Sequence, residues 1–237
     1  MSHCLPTGYE RYLKLLHPIY EDQSVVDHHQ TWDDVARAER PLRRAMMTEE
    51  AQRVEGIIHD AGGVARQSQP DQPFPAKRVL WSDLAKQWHR TYHPAITDHG
   101  LVPSLTSWPR YLVGPAEGKL VREQRAILAE TVAPFNADGE CFFWWMTIFR
   151  EEAMWRGRLE DYPHADEVQA ERRSPNMVWP SRRHWCICTD YDLCFTLVGC
   201  STPIADAFLS RPELELLEVT PTTRIDYKAD EANASPK

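Results

Sequence analysis

His89, His93, Asp98 and His99 are the densest group of nitrogen and oxygen donors in the chain. Two histidines four residues apart share one face of a helix, and a nearby carboxylate would complete a ligand set for a divalent metal. Pro94 argues against this, because it pushes His93 out of helical geometry. The residue after His89 is Arg90, where a metallohydrolase helix of the HExxH type carries its general-base glutamate. The histidines therefore read as capping, interface or core groups, and neither a metal nor a cofactor is assigned. Cys186, Cys188, Cys194 and Cys200 suggest a tetrahedral zinc site by composition. Their spacing lacks a two-residue knuckle, and Ile187, Phe195, Leu197 and Val198 surround them, so they read as small buried hydrophobes.

Asp190 and Asp192 project the same way from extended backbone, an arrangement that can divide acid and base roles or bind a metal. A hairpin turn selects aspartate at the same place for its local backbone bonds. Ser201 follows Gly199 and Cys200 at a strand-to-helix turn, where a nucleophile or an anion-binding helix start would sit. The glycines of a phosphate loop and the GxSxG elbow are both missing. In SPNMVWP, Pro175 and Pro180 bracket Trp179, which makes a stiff segment suited to covering a sheet edge or meeting a partner.

The elements that must position these residues follow from periodicity. Gly8 to Ile19 reads as a strand, with a short helix as the alternative, before the Pro18 break, and Thr31 and Thr48 cap helices running to Glu39 and His59. QSQPDQPFP (67–75) is a polar, proline-rich surface loop. Ser82 caps a helix ending near Tyr92, and a further helix covers about Lys119 to Val132. CFFWWMTIF (141–149) is apolar on both faces, as a central strand would be. His184–Thr189 and Cys194–Cys200 alternate as the two arms of a β-hairpin, and Pro203 opens a short helix after it.

The expected fold is therefore α+β: a single domain over 1–223 with a mixed or antiparallel sheet flanked by helices, and a C-terminal hairpin followed by a short helix. A helical and loop region is inserted at about 22–77, and 224–237 reads as a flexible tail. Hydrophobic residues make up 42% of the chain and nine are Trp, enough to build a core and to exclude general disorder. The formal charge is −8 with no basic stripe, so no nucleic-acid partner is expected. No apolar run approaches a membrane span, and the start lacks a signal-peptide pattern; a cytoplasmic location with reduced cysteines is expected.

Gly8, Tyr9, His17, Pro18, Trp81, Leu84, Ala85, His93, Pro94, Ser174 to Pro180, Trp185, Thr189, Asp190, Asp192, Thr196, Val198, Gly199 and Ser201 form a pattern spanning most of the chain. In this pattern the chain resembles a group of bacterial proteins, many of them actinobacterial. That group shares a Gly-Tyr…His-Pro opening, a Trp-x-x-Leu-Ala helix start leading to a second His-Pro, and a closing stretch like SPNMVWPSRRHWCICTDYDLCFTLVGCS. The resemblance skips about Asp22 to Lys77, and Cys200 stands where the group carries a second glycine. It implies a bacterial origin and a shared fold, and no activity.

Two functions are expected from these features. The first is a stoichiometric binding protein of the immunity or antitoxin type that blocks a bacterial toxin, since an acidic chain steers onto basic partners and tryptophan is enriched at hot spots. The alternative is a metal-assisted hydrolase drawing on His17, His93, Asp190 and Asp192. The candidate binding residues are Trp179, Asp190, Asp192, Ser201, His93 and His17.

Overall fold

RYLKLL is apolar at four of six positions, with apolar residues on both faces, which suits Arg11–Leu16 to a strand buried from Tyr12 onward. The computed structural model describes residues 4–38, 75–102, 107–146, 153–167, 174–226 and 228–234. The strands in chain order are Arg11–Leu16 (β1), Ile19–Asp22 (β2), Ala76–Val79 (β3), Leu112–Val113 (β4) and Glu140–Trp145 (β5). They continue with Ala153–Arg158 (β6), Met177–Pro180 (β7), Trp185–Cys188 (β8), Phe195–Cys200 (β9) and Leu216–Val219 (β10). Helices are 32–38 (α1), Trp81–Gln87 (α2), Asp98–Leu101 (α3), Arg122–Val132 (α4) and Thr202–Leu209 (α5). The fold is α+β, with antiparallel sheets, helices, and the expected β8–β9 hairpin followed by short helix α5.

The chain divides into two compact units. The larger comprises Met1–His17, Tyr92–Thr97 and Pro115–Glu231. It holds a seven-stranded sheet in the order β10-β1-β9-β8-β7-β5-β6. One face of that sheet presents Leu13, Leu15, Val198, Ile187, Val178 and Phe143 to Leu128 and Val132 of α4 and to Ile204 and Phe208 of α5. Arg125 of α4 is buried in this layer. Its guanidinium donates to the carbonyls of Leu120 (2.5 Å) and Pro163 (2.8 Å), to Ser174 Oγ (3.3 Å) and to the Asp166 carboxylate. The second unit comprises Pro18–Thr91, Asp98–Gly114 and Ala232–Lys237, and is built on a three-stranded sheet in the order β3-β2-β4. It therefore extends beyond the insertion expected at 22–77.

Several local expectations change. Thr31 does cap α1: its N–H and hydroxyl donate to Asp34 Oδ2 (2.9 and 2.7 Å), and the Asp34 N–H donates back to Thr31 Oγ1 (3.3 Å). Ser82 does not cap α2, which starts two residues earlier than that cap would place it, at Trp81 behind Leu80. The same helix stops at Gln87 instead of Tyr92, and His89 then takes a left-handed φ of 55°. The segment CFFWWM is not central: β5 lies next to edge strand β6, and its side chains alternate between half-buried and buried. The chain end does not fray from residue 224, because Ala229, Asp230 and Asn233 are buried and the two polar ones are hydrogen-bonded. The expected helix at Thr48 to His59 and residues 67–74 of the polar loop lie outside the described residues. Among the described residues no helix is long and apolar enough to cross a membrane.

Candidate functional site

The segment from Ser174 to Ser201 forms one structural unit. β8 and β9 pair with Trp185 opposite Cys200 and Cys188 opposite Leu197, and β7 joins the other side of β8 with Val178 opposite Ile187. In the turn between them, Asp190 Oδ1 accepts the Asp192 N–H at 3.0 Å, the local bond for which hairpin turns select aspartate. Asp190 is half-buried and Asp192 exposed, and the Asp192 carboxylate raises the Tyr191 phenol above its usual range. Gly118 supports the turn from below. It has φ +62°, and a Cβ there would lie 2.6 Å from Tyr191 Cα.

His17 sits in a sealed polar centre within the larger unit. Its Nδ1 lies 2.6 Å from the Ala116 carbonyl oxygen, which only accepts, so Nδ1 carries the proton. Nε2 is then the acceptor for the Thr196 hydroxyl at 2.9 Å, and Thr196 Oγ1 in turn accepts the Thr189 hydroxyl at 2.8 Å. Burial pushes the imidazole down to about 4. The ring is a neutral link between strands, and the site leaves it no open coordination position for a metal.

The other predicted residues are held elsewhere. His93 Nε2 meets Asp230 Oδ1 at 2.7 Å, and Asp230 Oδ2 accepts the Thr97 N–H at 3.2 Å, so the second His-Pro motif latches the chain end. Buried Lys14 secures the same segment by donating to the Ile96 (2.5 Å) and Pro94 (3.2 Å) carbonyls, with its ammonium 4.2 Å from the Phe195 ring centroid. Ser201 occupies the position before α5, but its side chain makes no cap. Glu10 supplies the cap, accepting both the N–H and the hydroxyl of Thr202 at 2.8 Å, and these bonds hold its carboxyl below the usual range. Gly199 exists for packing. A Cβ there would lie 2.4 Å from Tyr9 Cδ2, so the absent side chain is what admits the ring.

Cys186, Cys188, Cys194 and Cys200 are buried as expected, Cys141 is buried as well, and Cys4 is half-buried. Burial pushes the thiols of Cys141, Cys186 and Cys200 up to about 12. Cys4 is lowered by its hydrogen bond with Cys188, which itself rises chiefly through the same bond. At about pH 8 a thiol reagent therefore reacts first at Cys4 and reaches Cys141, Cys186 and Cys200 only on unfolding. Mass spectrometry of briefly labelled folded protein checks this, and early label on those three would contradict their strand placement.

The sequence did not single out one side of the sheet that the structure makes prominent. On the face of β7-β5-β6 turned away from α4 and α5, two cross-strand rows run side by side. One is Met177, Trp144 and Met154; the other is Trp179, Phe142 and Arg156. Met154 is 63% exposed, and Trp144, Met177, Trp179 and Phe142 are half-buried. The Phe142 and Trp179 rings stack at 5.8 Å and 14°, and the Arg183 guanidinium lies 5.9 Å from the Trp179 ring centroid. The run FFWWM is apolar at every position, so the sequence has no alternation to show which face is open; only its burial alternates. Comparison of the chain with known protein families, curated proteins and solved structures finds no match.

Proposed function

We propose that this chain is a stoichiometric protein-binding module that docks its partner on the outer face of β7-β5-β6. The observation that carries the reading is the pair of adjoining rows, with accessible aromatic and methionine surface from five residues. Contiguous, partly exposed apolar surface marks interaction sites, and Trp, Phe and Met concentrate at interface centres. Trp179, the sequence candidate, lies in the patch. Asp190, His17 and His93 are each engaged with a different partner, which favours binding over hydrolysis. The net charge of −8 steers the chain toward basic partners, and within this reading the partner class is a basic bacterial toxin that the chain blocks in the cytoplasm.

Affinity purification with the full chain, followed by titration of any captured protein, tests the reading. A true partner binds one to one, and Trp144→Ala or Trp179→Ala weakens it by about thirtyfold, the scale of a hot-spot residue, while thermal unfolding stays nearly unchanged. Equal affinity for both variants would remove this face as the docking surface.

A further inference from the structure

The helix-packed side of β5 and β6 carries a separate cavity of about 300 Å³, whose border includes Phe143, Trp145, Trp155, Gly157, Asp161 and Glu167. That is the lower end of the range for ligand sites, suited to a small head group. Its apolar wall is formed by Phe143, Trp145 and Trp155, of which Trp155 is the exposed one. The Trp145 and Trp155 rings meet edge to face at 5.4 Å and 64°, and Phe143 lies 6.4 Å from Trp145. Trp155 stands opposite Phe143 in the β5–β6 register and is 44% exposed. Gly157 keeps the floor open, since a Cβ there would lie 3.2 Å from Asp161 Oδ2 and 3.4 Å from Phe143 Cε2.

Among the described residues the cavity is bordered by two carboxylates, Asp161 and Glu167, and by the basic residues Arg156 and His164. Asp161 Oδ2 accepts the Arg158 N–H at 2.8 Å, which fixes the carboxylate, and no ion pair neutralises it among the described residues. Glu167 is also present, already paired with His164 at 3.1 Å and Arg122 at 3.7 Å. The Arg156 guanidinium does not compete, because it follows Phe142 to the other face of the sheet and binds Glu140 Oε1 at 2.6 Å.

Aromatic faces set at an angle beside an open carboxylate select a weakly hydrated cation, since the ring quadrupoles and the carboxylate both attract it. We infer that this cavity is a binding site for a quaternary ammonium group, carried either by a free small molecule or by a methylated lysine side chain. The inference is independent of the docking face proposed above.

The test titrates choline, a trimethyllysine peptide, and 3,3-dimethylbutanol, the uncharged isostere of choline, into the full chain. Tryptophan fluorescence and calorimetry give the readout. The expected result is saturable binding of at least one of the two cations, with the isostere about tenfold or more weaker. The tighter of the two cations identifies the source of the group. Trp155→Ala and Asp161→Asn each weaken binding by about tenfold with little change in thermal unfolding, since Trp155 is exposed and asparagine retains an acceptor for the Arg158 N–H. Failure of both cations to saturate at up to about 10 mM, or isostere binding equal to choline, overturns the inference.

Discussion

Arg125→Met destabilises the protein by about 3–5 kcal/mol, the scale for removing one partner of a buried ion pair. The arginine side chain is 1% exposed and Asp166 only 18%. Methionine fills much of the same volume, so the cost is electrostatic: the Asp166 carboxylate loses its cation, the Pro163 carbonyl loses its guanidinium donor, and the Leu120 carbonyl keeps only the Ser174 hydroxyl at 3.3 Å. Those two carbonyls border opposite sides of the α4 layer, one before the helix and one in the 3-10 turn Leu159–His164, so the guanidinium joins segments that would otherwise separate. Urea unfolding reads the effect as a lower midpoint with an unchanged slope. Arg125→Lys falls between the two, because an ammonium cannot span the same set of acceptors. A loss below about 1 kcal/mol for Arg125→Met would mean that the network is not structural.

The second large effect is acid sensitivity from His17. In the unfolded chain the imidazole protonates near its ordinary value of 6.5, whereas burial holds it neutral down to about 4 in the fold. Between those two values the unfolded state binds the extra proton, so stability falls as pH drops and rises again with pH. The slope is about 1.4 kcal/mol per pH unit, and the loss across the window is about 3 kcal/mol. Above pH 6.5 both states are neutral at this site and the contribution is flat. Urea midpoints measured between about pH 7 and pH 4 check the slope. His17→Gln keeps a donor and an acceptor for Ala116 and Thr196 and removes the titration, so its acid slope is shallower even where its stability is lower. An unchanged slope in that variant would assign the acid loss to other groups.

Much of the fold could be read locally. The β8–β9 hairpin, the aspartate turn and the helix opened by Pro203 need only alternation, turn chemistry and proline geometry, all of which act within a few residues. The expected boundaries failed where a local signal was weak or outcompeted. Ser82 has the right chemistry for a cap, but burial of Trp81 in the first turn of α2 starts that helix earlier. The run CFFWWM was legible as a strand but not its place beside the sheet edge, because strand order is a property of pairing and not of composition.

The candidate site was less legible. From residue types and spacing, the chain determines its α+β class, its buried thiols and the aspartate in the hairpin turn, whereas the half-burial of Trp179 came only from the structure. Tertiary structure alone decided that His17 meets Thr196 at a separation of 179 residues, that Glu10 and not Ser201 caps α5 from 192 residues away, and that Gly199 makes room for Tyr9. It also decided which aromatic residues of β5 face the open rows and which line the cavity on the other side. The physical reason is range. Periodicity and turn chemistry are set by backbone geometry over a turn or a strand, whereas a polar partner or an open face depends on which distant strand arrives opposite, and that is settled by burial of the whole sheet.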